Sequence, residues 1–248
     1  MGLEGRTVIV TGGGRDIGRA CALRLARDGA NVAINYHSSA DGADAAVAEI
    51  ESGGGHAFAR QGDMTSAGDV AALVEATLER FGGLDVLVHN TGGLVARKTL
   101  AEIDPTHWRT VMDLNVTSFL LLAQAALPHL GAGGSIVALS SQAARDGGGG
   151  GAVAYAAAKG AVSTMVRGLA KELGPDIRVN AVCPGMIDTG FHDVFTRDEV
   201  RANVARATPL KREGTSEEVA ELVLFLASDA SSFMTGANVD VNGGLLFS

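Results

Sequence analysis

Cysteine is nearly absent. The 248 residues hold two, Cys21 and Cys183, and neither falls in a Cys-x-x-Cys pair or a Cys/His cluster. Nothing here has metal-ligand spacing, so no metal is expected, and the two thiols read as small buried residues in a reducing compartment. Proline is scarce too, with 5 residues against an apolar fraction of 46%, which excludes a disordered chain. Positive charge is in deficit: 20 Lys and Arg face 28 Asp and Glu, for a net charge of −8 and a pI near 5.2. That balance argues against nucleic acid or an anionic membrane as partner, while leaving room for an anionic small molecule held by a few local cations. Long hydrophobic runs are missing as well. "RTVIV" near the N-terminus is too short for a signal peptide, and "SFLLLAQAAL" (Ser118 to Leu127) is too short to span a bilayer and reads as a core helix. The cytosol is the expected location.

What is present is alternation. Short β-branched runs ("RTVIV", "ANVAIN", "HAFARQGD", "LDVLVHN", "GGSIVALSS", "IRVNAVCPG", "ANVDVNGG") are separated by helical patterns. Ile17, Cys21 and Leu25 keep helical spacing up to a stop at Gly29, and Ala43 to Ile50 forms the next helix. "AGDVAALVEATLERFGG" follows. Asp104 as N-cap and Pro105 at the first position open one long helix through "DPTHWRTVMDLNVTSFLLLAQAALPHL". "AVAYAAAKGAVSTMVRGLAKELG" is a further helix, and "TSEEVAELVLFLAS" begins with a capping box. Strand and helix alternating to the end predict an α/β fold, a doubly wound, Rossmann-like parallel sheet covered on both faces. No composition shift divides the chain, so residues 1–248 are read as one domain. Gly147 to Gly151 is a flexible loop inside it.

The first strand runs into "TGGGRDIG", Thr11 to Gly18. Gly12, Gly13, Gly14 and Gly18 leave room for a dinucleotide backbone, and the following helix start favours a pyrophosphate. A plain strand-to-helix turn would explain the glycines about as well. Asp16 tolerates positive φ, but its charge is unfavourable beside a pyrophosphate unless it points away or accepts backbone N–H bonds. Further on, "AYAAAKG" sets Tyr155 and Lys159 four apart on one helix face. A nearby ammonium, helped by a positive oxidised nicotinamide, would lower the tyrosine pKa towards neutrality and make it a usable acid or base. Ser141, at the end of "ALSSQ", occupies the strand terminus where parallel sheets bind ligands. Asn115 in "MDLNVTS" either bonds its own backbone or holds a water serving Lys159 as a proton relay.

Taken together, "TGGGRDIG", "GDM", "HNTGG", "MDLN", "LSS", "YAAAK" and "NAVCPGMIDT" make essentially the whole chain resemble the short-chain dehydrogenase/reductases. That resemblance implies an NAD(P)-dependent carbonyl reductase or alcohol dehydrogenase. Its tetrad falls on Asn115, Ser141, Tyr155 and Lys159, with Ser141 preferred to Ser140 because the glycine loop is one residue longer than is usual in that family. Hydride transfer from nicotinamide is then paired with a proton from Tyr155, while Lys159 also holds the nicotinamide ribose. Cofactor contacts are implied at Gly12, Gly14, Arg15, Asp16, Ile17, Gly18, Asp63, Met64, Asn90, Gly92, Pro184, Gly185, Ile187 and Thr189. A homotetramer is implied too. Two departures stand out. Asp16 replaces the middle glycine of the turn, and His89-Asn90-Thr91-Gly92 replaces Asn-Asn-Ala-Gly, with His89 read as a structural residue. Tyr36 stands at the end of the second strand where an acidic residue would mark NAD. With Arg15, Ser38 and Ser39 nearby, NADPH is expected and NAD remains possible.

Arg97, Lys98, Gln142 and Arg145 are expected near the cleft, where they would suit an acidic substrate. Met186 to Arg206 is expected to form a lid that brings Phe191 and His192 to it. These stretches are similar to reductases acting on 2-keto sugar acids from alginate. The overall pattern is equally similar to 3-oxoacyl-acyl-carrier-protein reductases. A small polar oxo-acid or keto-sugar acid is the favoured substrate. A non-catalytic NADP-binding protein is the alternative from another class.

Overall fold

The computed structural model describes residues 2–247. Seven parallel strands form one sheet: β1 (Thr7–Val10), β2 (Asn31–Tyr36), β3 (His56–Gln61), β4 (Leu84–His89), β5 (Leu130–Leu139), β6 (Ile177–Pro184) and β7 (Asn238–Val241), in the order β3-β2-β1-β4-β5-β6-β7. The period-two pattern sorts their side chains between two cores. Val8, Val10, Val32, Ile34, Val86, Val88, Val137 and Leu139 face one side, against α1 (Asp16–Arg27), α2 (Ala40–Ser52) and α10 (Ser216–Ala227). Ile9, Ala33, Leu87, Ile136 and Ala138 face the other, against α3 (Ala67–Phe81), α5 (Ser118–Ala126) and α7 (Val153–Leu173). Being buried on both faces is why the inner strands β1 and β4 read as near-continuous apolar runs, unlike the edge strands β3 and β7. Cys21 and Cys183 are both buried, and burial pushes the Cys21 thiol up to about 12.

Helix ends follow their local chemistry. Asp104 accepts the His107 N–H at 2.8 Å, and Thr215 and Glu218 close a capping box at the start of α10. At the far end of α10, Arg178 of β6 donates to the carbonyls of Leu226, Ala227 and Ser228, which have no partner within the helix. The second helix extends three residues earlier and two later than the pattern predicted. The long helix expected after Asp104 is interrupted. α4 (Pro105–Met112) passes into one π-turn, Asp113–Thr117, before α5. The whole helical run Pro105–His129 is 25 residues, long and apolar enough to cross a membrane by length and composition. Here Val111, Asn115, Phe119, Leu122 and Ala126 of that run are buried in the fold.

His89, the last residue of β4, is structural, as expected. It is fully buried, its ring lies 5.1 Å from Phe119, and its Nε2 is 2.9 Å from the Ser118 hydroxyl. That hydroxyl gives its only proton to the Leu114 carbonyl at 2.7 Å, so His89 must carry its proton on Nε2 and donate it. The other nitrogen, Nδ1, is buried without a partner among the described residues. Burial, helped by the charge of Lys159, lowers the His89 pKa to about 3 from 6.5. The unfolded chain therefore binds a proton that the fold does not between those values. The resulting stability is complete above pH 6.5 and drains away as pH falls towards 3. Urea unfolding of His89→Asn should show a shallower acid limb, retaining roughly 2 kcal/mol more than wild type between about pH 6.5 and 5.

Candidate active site

β2 and β4 lie on opposite sides of β1, so the connections after β1 and β4 diverge and open a crevice at the strand ends. It widens into a cleft of about 980 Å³. One end is the glycine turn. Thr11 Oγ1 accepts the N–H groups of Asn90 and Thr91, and Asn90 Nδ2 donates to the carbonyls of Thr11 and Gly12, each at 3.1 Å. These bonds lock the turn to the end of β4. A Cβ at Gly14 would lie 2.7 Å from the Ser39 carbonyl, and one at Gly18 would overlap the Gly12 carbonyl, so the chain packs at a closeness that only glycine permits. Asp16 has φ 48°, the positive value its side chain tolerates, and its Oδ1 accepts the Gly190 N–H at 3.2 Å. All the residues expected to bind cofactor line this one cleft: Gly12, Gly14, Arg15, Asp16, Ile17, Gly18, Tyr36, Ser38, Ser39, Asp63, Met64, Asn90, Gly92, Pro184, Gly185, Ile187 and Thr189.

At the other end α7 presents Tyr155 and Lys159 to the end of β5. Lys159 is buried, donates to the Leu139 carbonyl at 2.7 Å, and sits 5.7 Å from the centre of the Tyr155 ring. Ser141 lines the cleft in hydrogen-bonding reach of the Tyr155 phenol, whereas Ser140 turns away to the Lys159 carbonyl and Ser163. Asn115 is the residue at which the helix slips into its π-turn. Its Nδ2 donates to the carbonyls of Val111 (2.8 Å) and Gly93 (2.9 Å), and its Oδ1 accepts the Gly93 N–H (3.0 Å). The structural reading of Asn115 therefore holds. The same residue also flanks Lys159 across the bare Cα of Gly92, where an added Cβ would lie 2.6 Å from Asn115 Oδ1 and 2.9 Å from Lys159 Nζ.

The electrostatics differ from the sequence argument. Burial raises the Tyr155 pKa, and the Ser141 hydrogen bond opposes that only in part. The ammonium expected to lower it lies against the ring and is committed to Leu139. Burial also brings Lys159 itself down to about 8.

The substrate end is less cationic than expected. Arg97 reaches the cleft, but its Nε donates to the Phe195 carbonyl at 2.7 Å and its Nη1 to the Gly150 carbonyl at 2.8 Å. Lys98 pairs with Asp104 at 3.0 Å, and Arg145 pairs with Asp240 at 2.6 Å and bonds the Asn238 carbonyl. Neither lines the cleft. Both were expected there from sequence proximity alone, and nearby carboxylates claim them instead. Gln142 does line it, with Nε2 on Asp146 at 2.7 Å. The lid is two helices, α8 (Gly190–Phe195) and α9 (Asp198–Ala207). Phe191 stands 5.9 Å from the Tyr155 ring, and His192 bonds Thr196 at 2.9 Å. Leu94 and Leu245 also line the cleft and were missed from the sequence, and within the expected lid Met186, Val200 and Val204 line it without having been singled out. The spacing of Val200 and Val204, one helical turn apart in a charged segment, was the available signal.

A glycine turn at a sheet crevice, joined by one cleft to a Ser-Tyr-Lys group, defines a nucleotide-dependent α/β oxidoreductase. The family profile described as enoyl-(acyl carrier protein) reductase matches residues 12–246. An oxidoreductase of Methylorubrum extorquens is 42% identical over 246 residues, covering 98% of each chain. A short-chain dehydrogenase from Burkholderia cenocepacia, solved in complex with NADP, is 37% identical with a TM-score of 0.92 over 99% of both chains. An NADH-dependent reductase responsible for alginate metabolism is 36% identical with a TM-score of 0.90 over the same share of both. The chain belongs to the short-chain dehydrogenase/reductase family.

Between pH 8 and 10.5 the unfolded chain holds a proton on Lys159 that the fold has released, so stability rises with pH through that window. Chemical denaturation of wild type and Lys159→Met at about pH 7 and 10 should show wild type gaining up to about 3 kcal/mol relative to the variant.

Proposed function

We propose that the protein is an NADPH-dependent carbonyl reductase. The carrying observation is that Ser141, Tyr155 and Lys159 converge on the far end of the cleft that begins at the glycine turn. The cleft fits a dinucleotide: it is continuous, near the upper end of ordinary ligand sites in volume, and walled by bare glycine backbone where phosphates approach. When bound, the nicotinamide supplies hydride to a carbonyl carbon. Tyr155, kept protonated by burial, gives its proton to the carbonyl oxygen. Ser141 donates a hydrogen bond to the same oxygen and holds it in line. Lys159 restores the charge balance beneath Tyr155 and would hold the ribose, and Asn115 fixes the loop over Lys159.

NADPH is preferred to NADH in this reading because β2 ends in Tyr36 and the next acidic residue along the chain, Asp41, lies within α2. The Arg15 side chain is 70% exposed, with Nε 3.9 Å from Asp16, and its guanidinium is placed to meet a 2′-phosphate with Ser38 and Ser39. Leu94, Met186, Phe191, Val200 and Val204 favour a carbonyl on an apolar or aromatic body. The keto-sugar-acid reading stands second, supported by the likeness to the alginate-metabolism reductase. Against it, Arg97, Lys98 and Arg145 are spent on protein partners. The exposed apolar side chains of Leu120, Leu127 and Phe247 offer surface for a cytosolic homotetramer.

Following NADPH and NADH oxidation with apolar ketones, 3-oxoacyl thioesters and 2-keto sugar acids tests the assignment. Apolar ketones with NADPH should turn over fastest. A 2-keto sugar acid outpacing them would establish the second reading, and bound NADPH without any turnover would leave a non-catalytic binding protein. Tyr155→Phe should lose about 10²- to 10⁴-fold in turnover while still folding and binding NADPH.

A further inference from the structure

Three side-chain contacts bear on how the lid sits over the cleft. Arg97 bonds the carbonyl of Phe195 at the end of α8. Arg201 of α9 is gripped by Asp188, Asp193 and Glu213, with N to O distances of 2.6 to 2.7 Å. The third is that of Asp16, whose carboxylate accepts the N–H of Gly190 at 3.2 Å. Only this one joins the lid to the glycine turn, across 174 residues of sequence.

The bond is not incidental to either partner. Thr189, directly before Gly190, accepts the His192 and Asp193 N–H groups with its carbonyl, but turns its hydroxyl back to the Ile187 carbonyl at 3.1 Å, so its side chain caps none of the lid amides. The Gly190 N–H therefore depends on an acceptor from elsewhere. On the other side, φ 48° is a conformation glycine adopts more cheaply than aspartate. A carboxylate is also electrostatically wrong beside a phosphate-cradling turn, even with Arg15 Nε 3.9 Å away to offset part of its charge. Neither the backbone nor the phosphate calls for an acid here, whereas the lid does.

We propose that Asp16 is a positioning residue that couples occupation of the dinucleotide turn to closure of the substrate lid. Asp16 both lines the cleft at the turn and holds the first residue of α8. A cofactor that fixes the turn thus fixes the lid's anchor, and by linkage a closed lid strengthens cofactor binding. Carbonyl substrates then meet an ordered Phe191 wall only after the cofactor is in place. The coupling rests on the cleft binding a nicotinamide dinucleotide, and it does not require any particular carbonyl substrate.

Hydrogen–deuterium exchange of peptides covering residues 187–196, with and without saturating NADPH, reads lid opening without any turnover. In wild type, NADPH should slow exchange there by roughly ten-fold. Asp16→Gly, which suits the turn's backbone, should exchange fast in both states and erase that ratio. Asp16→Asn, which keeps an oxygen at the same place, should restore most of it. Arg201→Ala serves as the contrast: exchange should rise in both states with the NADPH-linked ratio kept, because its fastening does not touch the turn. The proposal is overturned if Asp16→Gly retains the wild-type ratio, or if Asp16→Asn loses it as fully as Asp16→Gly. NADPH failing to bind wild type at all would instead sink the cofactor assignment, and a fluorescence titration shows that separately.

Discussion

The reversal of strand order at β1 is the constraint on which the rest depends. A parallel sheet wound from both sides of one strand cannot close over its own strand ends, so the chain there is committed to loops. The loops after β1, β2, β4, β5 and β6 therefore meet in one crevice although they are far apart in sequence. The lock between Thr11 and the Asn90-Thr91 amides sits where the crevice opens. It fixes two loops to each other before any ligand is considered.

Burial decides the chemistry of that crevice more than charge pairing does. Lys159, Tyr155 and His89 sit close together with no carboxylate beside them, and each is driven towards its neutral form. The result is a protonated phenol next to an ammonium that gives up its proton easily. The cost is visible in Asn115, where the helix gives up regular geometry for one turn so that its amide can hold the Gly93 loop over Lys159. Further out the cations take the opposite course. Arg97, Arg145 and Arg201 are held by carbonyls and carboxylates and act as struts between loops.

The sequence made the sheet, its winding, the glycine turn and the Ser-Tyr-Lys group legible, because each is written in local residue types at fixed intervals. Ser141 over Ser140 was legible too. The π-turn was not: Asn115 looked like a poor helix former, but only the approach of the Gly93 loop explains what it bonds. The fate of Lys98 and Arg145 depended on Asp104 and Asp240, one close in sequence and one 95 residues away, and proximity to the cleft in sequence misled. The upward push of burial on the Tyr155 phenol was not legible for a related reason. Spacing along a helix shows that a cation is one turn away, but it does not show how deeply both groups are desolvated.

The cleft draws its walls from Gly12 at one extreme and Leu245 at the other, and the helix pair that covers β1 joins α1 to α10. During synthesis, then, no emerging stretch short of nearly the full chain holds a complete ligand cavity. Until α10 has emerged, that core face of the early strands is covered by α1 and α2 alone. Such long-range closure slows folding and lengthens the interval in which apolar strand faces are open to other chains.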